Sequence, residues 1–142
     1  IMQLKDIVIK KKVDDSFYIN DSEIKKWNYL KGSKKEVRTR PDGVNYNYAE
    51  GGMVFPDALD RPSRTIITGE GGKSASRFKH VIETKNGLRR LTPVELERLN
   101  MFPDNHTNHN DATDTKRAFF MGNALVVGVV EKISIELQKR ID

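Results

Sequence analysis

Apolar residues recur along the chain with the spacing of helices in some stretches and of strands in others. Ile24, Trp27 and Leu30 lie three residues apart, and Asn20 with Glu23 forms a capping pattern just before them. Residues three apart share one face of a helix, so this segment is predicted to be a short amphipathic helix.

Strands are predicted from three short apolar runs, at 17–20, 64–68 and 78–83. Residues 31–52 contain glycines, a proline and no apolar period, which predicts a long loop with at most one short strand near 46–49. The last two predicted strands bracket a glycine-rich stretch, TGEGGKSASRFKH.

Two further helices are predicted in the last third of the chain. Thr92 is a good N-cap, Pro93 suits the first helical position, and Glu95 completes a capping box. After a polar loop at 104–116, apolar residues at helical spacing predict an amphipathic helix with Asn123 at its N-cap. Together these patterns indicate an α+β fold.

Charge is unevenly distributed along this basic chain of net charge +5. Residues 1–40 carry 11 Lys or Arg and 6 Asp or Glu, and residues 61–90 carry 8 and 2, whereas residues 41–60 have four acids and no base. Two basic blocks favour a polyanionic partner, although a solvated lysine-rich surface gives the same pattern. No uninterrupted apolar run reaches the roughly 18 residues of a membrane span, so no membrane partner is expected.

The glycines, lysine and serine at 69–74 resemble a phosphate-binding loop in composition. The pattern G-x-x-x-x-G-K-[ST] requires glycine where this chain has Ile67, and the next segment predicts a strand instead of a helix. A nucleotide-binding loop is therefore excluded. Local sequence leaves open whether this is a simple glycine turn and whether its basic residues contact phosphates or are merely exposed.

No metal site is expected. His106 and His109 lie near Asp104, Asp111 and Asp114, but no third ligand follows at a characteristic spacing. The sequence contains no cysteine, which excludes thiolate ligands, disulfides and a cysteine nucleophile within these 142 residues. The polar loop is therefore interpreted as solvated.

The segment RRLTPVELERLNMFPD resembles the ninth conserved motif of DNA (cytosine-5) methyltransferases, R-x-L-[TS]-P-x-E-x-x-R-[LV]-x-G-[FY]-P-D. Met101 stands where the motif has glycine. The matching residues are Arg89, Leu91, Thr92, Pro93, Glu95, Arg98, Leu99, Phe102, Pro103 and Asp104.

A second segment, FFMGNALVVGVVEKI, resembles the tenth and last motif of the same family, Q-x-G-N-S-V followed by an apolar helix. Gly122 and Asn123 match, while Ala124 replaces the serine and Phe120 the glutamine. The two motifs occur in the family's order and at about its separation, which makes the pair specific.

The resemblance implies a domain order. Residues 1–16 would connect to a catalytic domain, 17–104 would form a small β-rich target-recognition domain that includes the ninth motif, and 105–142 would provide the tenth-motif helix. That helix would complete an α/β, Rossmann-like methyltransferase domain supplied by another segment or chain.

The resemblance also implies site residues. The family keeps a Thr-[Leu/Ile/Val] pair beside a base-recognition loop, which Thr65-Ile66 fits, and the glycines would allow close approach to bases. The ninth motif (Arg89, Thr92, Glu95, Arg98) would brace the recognition domain, and Gly122, Asn123 and Ala124 would contact S-adenosylmethionine. The expected DNA-binding residues are Arg38, Arg40, Asn45, Asn47, Arg64, Thr65, Thr68, Gly69, Gly71, Gly72, Lys73, Ser74, Arg77 and Lys79.

The family's cofactor-binding, Pro-Cys and Glu-Asn-Val motifs are not found in this sequence, so we expect the chain to have no catalytic residue and to be inactive alone. The expected partners are double-stranded DNA and a catalytic half, in a bacterial cytoplasm near the nucleoid. Met2 near the start, after Ile1 as a cloning remnant, favours a natural split subunit over an excised fragment. A stand-alone, non-enzymatic nucleic-acid-binding module is the alternative.

Overall fold

The computed structural model describes residues 2–141 and contains helices and two small antiparallel sheets, which makes it an α+β structure. The helices are α1 (Leu4–Ile7), α2 (Asp21–Lys31), α3 (Pro93–Leu99), α4 (Asp114–Asn123) and α5 (Val127–Ile141), with a 3-10 turn at Asp15–Phe17. The strands are β1 (Lys34–Thr39), β2 (Asn45–Glu50), β3 (Val81–Thr84) and β4 (Gly87–Arg90).

The prediction of a long loop at 31–52 is wrong, because most of this segment forms the hairpin of β1 and β2. The strands pair from Lys34 opposite Glu50 to Thr39 opposite Asn45, and Gly43 adopts a positive φ of 84° in the connection. Both faces of this hairpin are polar and largely accessible to solvent. It therefore lacks the alternation of apolar residues by which half-buried strands are recognised.

Two further strand predictions need correction. Residues 17–20 contain only one bridge, between Tyr18 and Arg89, after the 3-10 turn. Residues 64–68 are irregular, although Ile66 is buried. Ile66 fills part of the core although residues 64–68 pair with no described strand, whereas residues 17–20 lie beside β4 and the Ile19 amide donates to Leu88 O at 2.9 Å. Of the predicted strand at 78–83, only the part from Val81 onwards is regular.

The predictions for α2 and α3 are confirmed at their N-termini. Asn20 occupies the N-cap of α2, although its side chain makes no capping hydrogen bond. Thr92 caps α3 by accepting a hydrogen bond from the Glu95 amide, and the Glu95 side chain completes the capping box.

The prediction that Asn123 caps the final helix is wrong, because Asn123 is the last residue of α4. Thr113 caps that helix instead, and α5 begins only at Val127. Asn100 stabilises the break, since its side-chain amide donates to Met121 O at 2.8 Å and its carbonyl accepts from the Val127 amide at 2.9 Å.

One apolar core joins the N-terminal helix, the central segment and the helices of the last third. Its buried members are Leu4, Ile7, Ile66, Ile82, Leu91, Leu96, Leu99, Ala118 and Met121. Helix α5 lies outside this core, and its apolar side chains are exposed, including Ile133 at 62% and Leu137 at 55%.

Within the part of the chain that is described, residues 114–141 are long and apolar enough to cross a membrane by length and composition, with a mean hydropathy of 1.6 over 18 residues. The sequence-based expectation considered only uninterrupted apolar runs, and this stretch includes Asn123 and the break at 124–126. Core helices of soluble proteins satisfy the same criterion.

Candidate nucleic-acid interface

A buried ion pair connects the strand and helix of the segment that resembles the ninth motif. The Arg89 guanidinium donates to both carboxylate oxygens of Glu95, at 2.8 and 2.6 Å. Glu95 also accepts from the Thr92 amide and from the Ile9 amide, each at 2.8 Å. A bidentate pair with its remaining lone pairs satisfied holds the N-terminal segment, β4 and α3 together.

Arg98, another basic residue of that segment, lies at the surface. It forms a bidentate pair with Asp104 at 2.7 and 2.6 Å and donates to Ile7 O at 3.0 Å. The hydrogen bonds from Arg98 lower the pKa of the Asp104 carboxyl. The segment therefore stabilises the fold through the buried Arg89–Glu95 pair and the exposed Arg98–Asp104 pair.

A second buried carboxylate anchors α4 to α3. Burial favours a higher pKa for Glu97, but hydrogen bonds from Thr107 and Arg117 outweigh it, so that the Glu97 pKa is lowered. Arg117 donates to Glu97 Oε1 at 2.9 Å, and the Thr107 hydroxyl donates to the same oxygen. The polar loop before α4 is thus fixed through its backbone and side chains, which the sequence did not reveal.

Two glycines of the predicted sites have close contacts inside the protein: Gly71, expected at DNA, and Gly122, expected at the cofactor. A Cβ on Gly71 would lie 2.7 Å from the Thr115 Cα of α4, and a Cβ on Gly122 would overlap the backbone of Thr68. The glycine-rich loop therefore packs directly on α4 by backbone approach. Gly72 adopts a positive φ of 78°, and its carbonyl accepts from Lys79 and Arg90.

Three of the predicted phosphate-binding cations are engaged within the protein. Arg64 pairs with Asp57 at 2.8 Å, and Lys79, only 5% exposed, donates to the carbonyls of Gly72 and Ser74. Arg77 pairs with Glu50 at 3.0 Å and donates to carbonyls on both sides of the β1–β2 hairpin, namely those of Leu30, Gly32 and Gly51.

Other residues of the same loop are exposed and, in the described chain, are not held by such contacts with the hairpin. Thr68, Gly69, Lys73 and Ser74 are accessible to solvent. Because Arg77 ties this loop to the base of the hairpin, the loop lies beside the strands that carry Arg38, Asn45 and Asn47.

A hydrogen-bonded relay that the sequence did not reveal runs beneath the loop. Glu70 accepts from the His80 amide at 3.0 Å and lies 2.7 Å from His80 Nδ1, while His80 Nε2 lies 3.0 Å from Ser63 Oγ. Ser63 Oγ also donates to the Arg64 carbonyl at 2.8 Å. His80 and Glu70 are buried, so this relay fixes the loop against the segment that precedes Thr65.

The β1–β2 hairpin carries the other four predicted DNA-binding residues. Arg38 is held by Glu36 at 2.5 Å and lies 3.5 Å above the Tyr48 ring, and Arg40 lies 5.4 Å from the Tyr46 ring. The Glu36 hydrogen bond raises the pKa of Arg38. Asn45 and Asn47 are exposed on β2.

A cavity of about 360 Å³ lies where the segment that precedes the glycine-rich loop, the N-terminal segment and the α4–α5 break meet. Gly122 and Ala124 line it together with Thr65, and the cavity also involves Met2, Gln3, Pro62, Ser63, Arg64, Ile66, Leu99, Asn100, Met121 and Val126. Asn123 does not line the cavity, and its amide donates to Phe119 O at 3.0 Å. Two of the three predicted cofactor residues therefore lie near Thr65.

A buried lysine at the base of the hairpin was not foreseen. Lys31 is 1% exposed, lies about 6 Å from the Trp27 and Phe55 rings, and donates to Lys79 O at 2.5 Å. Burial lowers the Lys31 pKa to about 8. In the sequence it is indistinguishable from its exposed lysine neighbours.

Among residues 2–141, no group of three or more His, Cys, Asp or Glu side chains is arranged to hold a metal ion. His106 instead stacks against Phe102, with 4.7 Å between the ring centroids.

The chain belongs to the C-5 cytosine-specific DNA methylase family, which it matches over residues 2–139. Among particular proteins, it is similar to the type II methyltransferase M.Sau3AI of Staphylococcus aureus, with 43% identity over 132 residues. These residues make up 93% of this chain and 31% of that protein. The resemblance found in the two motifs is thereby confirmed at the level of the family.

The fold is similar to that in the crystal structure of S. pombe Dnmt2 methyltransferase. The TM-score is 0.66 at 15% identity, over 99% of this chain and 41% of that one. The chain thus spans less than half the length of either relative.

Proposed function

We propose that this chain is the target-recognition part of a DNA (cytosine-5) methyltransferase of the restriction–modification type. It would select the DNA sequence and hold the duplex while the catalytic part flips the target cytosine out and methylates it. The observation that carries this proposal is the family match over nearly the whole chain, combined with a sequence that contains no cysteine. The cysteine that attacks cytosine C6 would therefore come from outside these 142 residues.

The arrangement of the basic and polar side chains supports two separate roles, one in holding the loop and one in contacting DNA. Arg64, Arg77 and Lys79 hold the glycine-rich loop and the hairpin in place, so any effect of these three residues on DNA would be largely indirect. Direct contacts would come from the exposed positions, where long cations such as Lys73 and Arg40 are suited to phosphates. The exposed polar residues Thr68, Gly69, Ser74, Asn45 and Asn47 would lie nearer the bases.

The cavity beside Thr65 supports a role in the cofactor site. Its volume lies in the range of small-molecule pockets, and Gly122 and Ala124 line it. These residues would form one wall against S-adenosylmethionine, which supplies the methyl group when bound. The remaining polar contacts would come from the catalytic part.

The apolar side chains of α5 support a docking role. Val129, Ile133, Leu137 and Ile141 are each more than half exposed, which is unusual for a soluble surface. We infer that this helix packs on the catalytic domain, supplied by another segment or by a separate subunit in the cytoplasm.

Reconstitution tests the proposal. The chain is mixed with the catalytic part, duplex DNA and S-adenosylmethionine carrying a labelled methyl group. We expect methyl transfer to cytosine only when both parts are present. If both parts are folded and no DNA is methylated, the proposal is contradicted.

A further inference from the structure

The β1–β2 hairpin has two faces of different chemistry. On one face, charges and rings are paired: Lys34 lies opposite Glu50 at 2.9 Å, and Arg38 contacts Glu36 and Tyr48. The opposite face presents six exposed side chains with no acid among them. They are Lys35, Val37 and Thr39 on β1, and Asn45, Asn47 and Ala49 on β2.

The two asparagines of this second face are not equivalent. Thr39 Oγ1 donates to Asn45 Oδ1 at 2.7 Å, so one lone pair of the Asn45 amide oxygen is engaged within the hairpin. Within the described chain, the Asn47 side chain has no hydrogen-bond partner. Asn47 therefore keeps both the donor and the acceptor that a bidentate contact with adenine N7 and N6 requires.

Val37 lies directly opposite Asn47 in the ladder and is 66% exposed. Side chains at directly opposed positions have Cβ atoms about 4.5–5.5 Å apart. No packing inside the protein accounts for a β-branched apolar residue at this position. An apolar group of this size fits the thymine methyl group, which lies on the same groove edge as adenine N6 and N7.

We propose that Asn47 and Val37 together read one A·T base pair in the major groove, Asn47 on the adenine and Val37 on the thymine methyl. This inference rests on the proposed function and adds specificity-determining residues to it. The groove, about 12 Å wide, admits a two-stranded ribbon, and a six-residue strand of about 20 Å reaches its floor. Lys35, which lies on the same face, would serve as a cation for a neighbouring phosphate.

The test uses the assembled methyltransferase containing this chain, after its methylated sequence has been mapped. Each adenine of that sequence is replaced in turn by 7-deazaadenine, which lacks N7, and each thymine by uracil, which lacks the methyl group. At one A·T pair, 7-deazaadenine should weaken DNA binding roughly 10-fold. The Asn47→Ala variant should bind both duplexes equally, and Val37→Ala should lose the preference for thymine over uracil at the same pair.

Asn108→Ala is the matched control, since it removes an exposed amide outside the hairpin and should keep the full response to 7-deazaadenine. The inference is overturned if Asn47→Ala still responds to every 7-deazaadenine as the unsubstituted enzyme does, or if the methylated sequence contains no A·T pair. Failure to methylate any DNA would instead remove the proposed function itself.

Discussion

At the scale of single residues, Met101 shows how the structure explains a departure from a motif. Met101 adopts a φ of +62°, in the left-handed region that favours the glycine usual at this position. Its side chain compensates by packing on Gly128 of α5. Met101→Gly relieves the strain and loses that contact, whereas Met101→Ala keeps the strain and also loses the contact.

We therefore expect Met101→Ala to be less stable than Met101→Gly by about 1 kcal/mol. Urea unfolding of the two variants at equal protein concentration measures this difference. Equal midpoints, or the reverse order, would refute the account of this residue.

Lys31 predicts a pH dependence at the same scale. Its pKa is lowered by burial to about 8, from 10.5 in the unfolded chain, so between these values the unfolded state binds more protons. The free energy of unfolding should accordingly rise from pH 8 to 10.5, by up to roughly 3 kcal/mol from this group. Chemical denaturation across this range should show a smaller rise for Lys31→Met than for Lys35→Met, the exposed control. Identical profiles for both variants would contradict the assignment.

At the scale of elements, the glycine-rich loop and α4 depend on close backbone packing. Gly122→Ala and Gly71→Ala place a methyl group against backbone that cannot move as a side chain does, and each should destabilise by roughly 1–3 kcal/mol. Gly51→Ala has open space around it and is the matched control. Thermal unfolding of the three variants measures these differences in stability. A Gly122→Ala variant as stable as Gly51→Ala would contradict the close packing of the glycine-rich loop on α4.

The elements also show what the sequence could predict. Helix α3 was predictable because its start is a local signal, the Thr92–Glu95 capping box. The β1–β2 hairpin was not, since β-pairing of two polar strands leaves no apolar period. The relay from Glu70 through His80 to Ser63 joins residues distant in sequence, and no local pattern marks such contacts. The motifs were therefore sufficient to propose a candidate site, but not to predict the orientation of its side chains.

At the scale of the whole molecule, α5 determines the behaviour of the isolated chain. Its exposed apolar side chains should make the chain self-associate without its partner. Sedimentation velocity should show oligomers for the unsubstituted chain and a shift to monomer for Ile133→Glu/Leu137→Glu. Glu131→Gln/Glu136→Gln on the same helix should leave the oligomers in place. A monomeric, well-folded unsubstituted chain would contradict the docking role of α5.

Exchanging recognition parts on one catalytic part tests whether this chain chooses the DNA sequence. The same catalytic part is assembled with this chain or with the corresponding segment of a family member that methylates a different sequence. Methylated cytosines are then mapped by sequencing. Our account predicts that the methylated sequence changes with the recognition part, whereas a sequence that stays with the catalytic part would contradict it.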